Sequence, residues 1–189
     1  MKILLASKSP RRQELIKMLE IPYESVSVGE VEEVYPAELP PEDVPAYLSR
    51  IKASAYQTPL ADDEVLVTAD TIVLLDGEIL GKPADMEEAK VILQKLSGRV
   101  HRVITGVTLT TNKANHTFSV TTDVHFAPLT TGEIDFYVER FRPLDKAGAY
   151  GIQEWIGAVG IKRIDGSFYN VMGLPVHQLY RELKLMHNA

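Results

Sequence analysis

Apolar positions recur along the chain in two rhythms. Short unbroken blocks, "KILLA" at 2–6 and "EVLVTAD" at 64–70, predict buried strands. The second block ends at Asp70, which places that carboxylate at the carboxyl end of its strand. "YESVSV" predicts a further strand, and "TIVLLDGEIL" a hairpin whose Asp76-Gly77 pair suits a type I′ turn. Residues 100–127 read as two longer strands, "HRVITGVTLT" and "HTFSVTTDVHFA", joined by the polar "TNKAN". "GAVGIKRIDG" reads as one more strand.

The helical rhythm appears at Leu15, Ile16, Met18 and Leu19, behind Ser9 as N-cap and Pro10 as first helical residue. It returns at Val44, Tyr47, Leu48, Ile51 and Ala55, and in "DMEEAKVILQKLSG", with acids first, Lys95 near the end and Gly98 behind it. "TTGEIDFYVER" is a short helix with a threonine cap. Val176, Leu179, Leu183 and Met186 give the final helix one apolar face. Strands and helices do not alternate strictly, and two hairpins are present. The expected fold is therefore α/β, a long mixed twisted sheet with flanking helices. The proline-rich "PAELPPEDVP" reads as a loop leading into a helix. No repeat or flexible linker divides the chain, so one domain over 1–189 is expected.

Charge and composition narrow the function. The net charge of −6 opposes polyanions, so stable nucleic-acid binding is not expected. Basic residues that meet a phosphate must then be gathered locally, around a small anionic ligand. With no cysteine in the chain, disulfides, thiolate metal sites and a cysteine nucleophile are excluded. The first apolar run is too short for a signal peptide, and no window approaches the ~18 apolar residues of a membrane span. A cytoplasmic protein is the default.

"LLASKSPRRQEL" puts two arginines on the first turn of a helix, where the dipole disfavours positive charge. Free N–H groups, the hydroxyls of Ser7 and Ser9, and the guanidinium groups of Arg11 and Arg12 would together cradle a phosphate. The plainer alternative is a capping serine with solvated or ion-paired arginines. Asp70 could bind a divalent cation or take a proton from water, or merely close a turn. Glu32 and Glu33 could supply a second metal ligand, or be solvated loop acids. Lys52 is either a surface lysine snorkelling from its helix or a ligand group. Lys82, in "GKP", could reach a terminal phosphate or cover the sheet edge. His101 reads as a hydrogen-bonded structural histidine more readily than as a catalyst. In "DKAGAYGIQEWIG" the glycines suggest close backbone approach, and Gln153 has the donor and acceptor needed to read a base edge.

Taken together and in order, "ASKSPRRQEL", "EE" at 32–33, "RIKA", "ADTIV", "GKP", "LSGRVHRVITG", "PLDKAGAYGIQ" and "NVMGLP" resemble the Maf family of nucleoside triphosphate pyrophosphatases over nearly the whole chain. The resemblance implies a fold similar to inosine-triphosphate pyrophosphatases, with two lobes around a cleft. It implies hydrolysis of a nucleoside triphosphate to the monophosphate and pyrophosphate with Mg²⁺ or Mn²⁺, and a homodimer. Asp70 matches the family's catalytic acid, and Glu33 the acid expected to help hold metal. Ser7, Arg12, Lys52 and Lys82 match triphosphate-binding positions. Arg11, Thr71 and Gln153 match the pattern of the branch that prefers dTTP and UTP; related 5-substituted uridine triphosphates would also suit it. Glu32 stands where many relatives carry Asp. The competing expectation is a non-catalytic nucleotide sensor that regulates division and septum formation.

Overall fold

The computed structural model describes residues 1–187. Seven strands form one mixed sheet in the order β2-β1-β3-β5-β6-β7, with β4 paired to β3. The strands are β1 (Lys2–Leu5), β2 (Tyr23–Ser25), β3 (Glu64–Leu75), β4 (Glu78–Leu80), β5 (Val100–Thr110), β6 (Asn115–Phe126) and β7 (Ile161–Asp165). β1 is parallel to both β2 and β3, whereas β3–β4 and β6–β7 are antiparallel. The helices are α1 (Pro10–Lys17), α2 (Val44–Ser54), α3 (Met86–Leu96), α4 (Thr131–Phe141), α5 (Trp155–Gly160), α6 (Phe168–Met172) and α7 (Val176–His187). The mixed sheet with flanking helices matches the expected class. No described helix is long and apolar enough to cross a membrane.

Several local expectations hold for the stated physical reasons. Ser9 caps α1 with Pro10 in the first turn. Asp76 and Gly77 both have positive φ, +49° and +86°, as the type I′ hairpin requires. Asp85 caps α3 by accepting from the Glu88 N–H, and Thr130 with Glu133 makes a full capping box on α4. "GAVGIKRIDG" divides differently: its first four residues finish α5 and only Ile161–Asp165 is strand.

The larger correction concerns β3. The strand does not stop at Asp70 but continues through Leu75, so the carboxylate sits mid-strand. The residues after it, Thr71, Ile72 and Val73, are β-branched and favour extension. Turn chemistry first appears at Asp76-Gly77.

The chain forms two compact units. Among the described residues, the first comprises 1–71, 105–120 and 173–187; the second comprises 72–104 and 121–172. In the first, Leu4, Ala6 and Leu66 pack with Val26, Val28, Tyr56 and Leu60. In the second, α3 and α4 pack Leu93, Leu96, Tyr137 and Val138 with Val73, Val103 and Phe126 from the strands.

Candidate active site

The first unit gathers most of the predicted site residues. α2 delivers Lys52, and β3 delivers Asp70. Lys52 follows Leu48 by four residues and Ser49 by three, which puts it on the buried side of the helix. Two further contacts fix α2 against the strands. The Thr68 hydroxyl donates to the Ser49 carbonyl at 2.7 Å, and the Ser49 and Thr108 hydroxyls share a hydrogen bond of 2.8 Å. At Gly106 on β5 the approach is closest: a Cβ there would lie 2.3 Å from both Ala46 N and Pro45 C. Only glycine lets the start of α2 lie so near the strand.

From this platform the Lys52 ammonium lies 2.6 Å from Asp70 Oδ1 and 2.9 Å from Glu33 Oε1. Asp70 is buried, whereas Glu33 is half exposed on the segment after β2. Of the adjacent acids 32 and 33, the structure thus brings Glu33 to Lys52. Two carboxylates already converge on one positive charge. Their hard oxygen donors suit Mg²⁺ or Mn²⁺. Among the described residues no group of three or more His, Asp and Glu is gathered as a full cage. Mg²⁺ sites commonly complete their coordination with water and substrate phosphate, so the pair fits such a cation.

At the start of α1, Ser7 Oγ accepts from the Ser9 N–H at 3.2 Å, and Ser9 Oγ accepts from the Arg12 N–H at 3.5 Å. The first turn contains no acid. Arg11 is half-buried there. Arg12 turns inward instead. Its Nη1 donates to the Ala69 carbonyl at 2.8 Å, Nη2 to the Thr71 hydroxyl at 3.0 Å, and Nε to the Gly173 carbonyl at 2.8 Å. Thr71 in turn shares a 2.9 Å hydrogen bond with Thr105. Burial pulls the Arg12 guanidinium below its ordinary value; Asp70 opposes that shift, Arg11 adds to it and Glu33 opposes it. An arginine nevertheless stays charged. The structure therefore puts Arg12 and Thr71 in a network inside the protein, a use that their spacing in the sequence did not reveal.

Lys82 and Gln153 belong to the second unit, and both are exposed. The residue before Lys82, Gly81, accepts from the Gly148 N–H at 3.1 Å. Gly148 has φ +71°, and a Cβ on it would lie 2.8 Å from Val73 Cγ2. The glycine-rich segment thus does make the close approach expected of it. Gln153 projects from a fixed backbone. Its neighbour Glu154 accepts from the Tyr137 hydroxyl and lies 3.2 Å from the buried Lys146 ammonium, while the Gly151 N–H donates to the same hydroxyl at 3.0 Å. These supports carried no sequence signal: Lys146, Gly151 and Glu154 lie on no periodic element, and Tyr137 reads only as a core position of α4. His101 is buried and bonds Tyr150 at 2.7 Å, a structural role.

The fold and this centre define a mixed α/β protein with a carboxylate–ammonium cluster flanked by a serine-capped helix start. The chain belongs to the Maf-like protein family, whose model matches residues 2–186. It is 55% identical over 185 residues to the dTTP/UTP pyrophosphatase of Porphyromonas gingivalis, covering 97% of this chain and 93% of that protein. It is 53% identical to the protein of that description from Phocaeicola vulgatus, covering 97% of this chain and 95% of the other. Among solved structures, a HAM1 protein from Coxiella burnetii superposes with a TM-score of 0.55 at 20% identity, over 97% of this chain and 98% of that one. That likeness concerns the fold alone.

Proposed function

We propose that this protein is a nucleoside triphosphate pyrophosphatase that hydrolyses dTTP and UTP to the monophosphate and pyrophosphate. Family membership and relatives above 50% identity support the reaction class. The observation that carries the site assignment is the Glu33–Lys52–Asp70 cluster.

Water attacks the α-phosphorus, an O–P bond forms, and the bond to the bridging oxygen breaks to release pyrophosphate. Asp70 Oδ1 is held by Lys52, leaving Oδ2 to take the proton from the attacking water. Asp70 and Glu33 are the groups that would hold Mg²⁺ or Mn²⁺. When bound, such a cation supplies positive charge to phosphate oxygens and lowers the pKa of water. Lys52 supplies ammonium charge against the negative charge that the leaving group develops, and Lys82 keeps the triphosphate-binding role that the family resemblance implies. The α1 start, with Ser7, Ser9 and Arg11, receives phosphate oxygens. Gln153 pairs a donor and an acceptor with the imide edge of uracil or thymine. Because the 5-methyl group is the only difference between those bases, 5-substituted uridine triphosphates fall within the same reading. A homodimer belongs to the proposal through the family resemblance, and a cytoplasmic location as the default reading of the sequence.

Hydrolysis of dTTP in ¹⁸O-enriched water tests the position of attack. The expected result is label in the thymidine monophosphate and none in pyrophosphate. Label in pyrophosphate would mean attack at the β-phosphorus and a different placement of substrate.

A further inference from the structure

We propose that Arg12 is a positioning residue for Asp70: its guanidinium clamps β3 on both sides of that carboxylate, through the Ala69 carbonyl and the Thr71 hydroxyl. The proposal rests on Asp70 as the catalytic carboxylate. β1 pairs with β3 only as far as the Ala6 N–H, which donates to the Val67 carbonyl at 3.0 Å. The chain then leaves for α1, and β3 continues without that neighbour. Its next carbonyl on the same edge belongs to Ala69, two residues on. Arg12 Nη1 takes that carbonyl at 2.8 Å, so a guanidinium replaces the strand that has departed.

Nη2 reaches the Thr71 hydroxyl at 3.0 Å, on the other side of Asp70. Nε is anchored by the Gly173 carbonyl at 2.8 Å. Gly173 has φ +117°, a conformation that an L side chain strains, so the anchor depends on glycine. Three acceptors, two on β3 and one just ahead of α7, are thus joined by one planar fork. A lysine ammonium, a single point on a flexible stem, cannot span them. Three of the five guanidinium N–H groups are committed before any substrate arrives.

The test compares wild type with Arg12→Lys, Arg12→Gln, Thr71→Val, Asp70→Asn and the Arg12→Gln/Asp70→Asn double variant, with dTTP and Mg²⁺. Arg12→Lys and Arg12→Gln are expected to lower kcat about 10²-fold, the effect of misplacing a catalytic group by about 1 Å. KM and inhibition by pyrophosphate should stay within about threefold, because the guanidinium is committed to protein acceptors; a larger rise would return Arg12 to the triphosphate-binding role that the family resemblance implies. Thr71→Val removes one anchor of three and should lower kcat by about tenfold with the same split. In the Asp70→Asn background, Arg12→Gln should cost nothing more. Amide hydrogen exchange over residues 69–72 should quicken in the Arg12 variants; this arm reads the clamp even if no triphosphate is cleaved. Recovery of kcat by lysine, pyrophosphate inhibition weakened about tenfold with kcat kept, or unchanged exchange would overturn the proposal. If an Arg12 variant does not fold, Thr71→Val decides through the same kcat and KM split.

Discussion

Lys52 Nζ lies 2.6 Å from Asp70 Oδ1, with the lysine on a helix and the aspartate in the middle of a strand 18 residues further along the chain. The pair is held by contacts that flank it: Thr68 to Ser49 ties strand to helix, and Gly106 lets the helix approach. Charge-assisted hydrogen bonds of this kind are strong and directional.

Replacing Lys52 by methionine keeps the length of the side chain and removes the ammonium. Asp70, buried, then loses its partner, which should cost about 1–3 kcal/mol of stability in urea melts. Turnover of dTTP should fall further than stability explains, by about 10²–10³, as when one group aimed at developing charge is removed. A variant with near wild-type kcat would take Lys52 out of the reaction.

Gly106→Ala introduces one methyl group 2.3 Å from backbone atoms at the start of α2. Backbone cannot yield as a flexible side chain can, so the helix must shift. The expected cost is about 1–3 kcal/mol, as for other overpacked sites. Because Lys52 moves with α2, kcat should drop more than the folded fraction does. Parallel thermal melts and kinetics separate the two effects.

Gln153→Glu should leave stability unchanged, since Gln153 is exposed. In the proposed recognition of the base, it replaces the side-chain donor with a second acceptor. Loss of one hydrogen bond to the base corresponds to roughly a tenfold fall in kcat/KM for dTTP and UTP. Equal values for the variant and wild type would remove Gln153 from base recognition.

His101 gives the protein a defined acid limit. The ring is packed against Phe126 and Tyr150, and among the described residues its Nδ1 has no hydrogen-bond partner. Burial, assisted by His125, pushes its pKa from 6.5 to about 3. The folded state therefore holds fewer protons than the unfolded state between those values. Stability is fully present above pH 6.5 and falls as the pH drops toward 3. Between pH 8 and 5 the loss should be about 2 kcal/mol. Urea melts of wild type and His101→Gln over that window check this: the variant, less stable throughout, should show the smaller pH dependence.

Elements governed by local chemistry were legible in the sequence. Ser9 and Pro10 announce α1, Asp76-Gly77 the hairpin, and Thr130 with Glu133 the start of α4, because each signal and its effect lie within four residues. Asp70 was legible as a chemical group but not as a mid-strand position. An apolar block with one polar residue gives no sign of whether the strand continues. The partners of Arg12 were not legible at all: two of its acceptors are carbonyls 57 and 161 residues away, and a carbonyl has no residue type to mark it. Lys52 could be read equally as a snorkelling surface lysine because the acids that hold it come from a strand and a loop elsewhere in the chain.

The most direct test of the central claim is pyrophosphate release from a panel of nucleoside triphosphates with Mg²⁺ or Mn²⁺, wild type beside Asp70→Asn. The expected result is that dTTP and UTP lead the panel and that the variant, still folded, loses at least about 10²-fold in rate. A panel with no cleaved triphosphate, or an Asp70→Asn variant as fast as wild type, would contradict it.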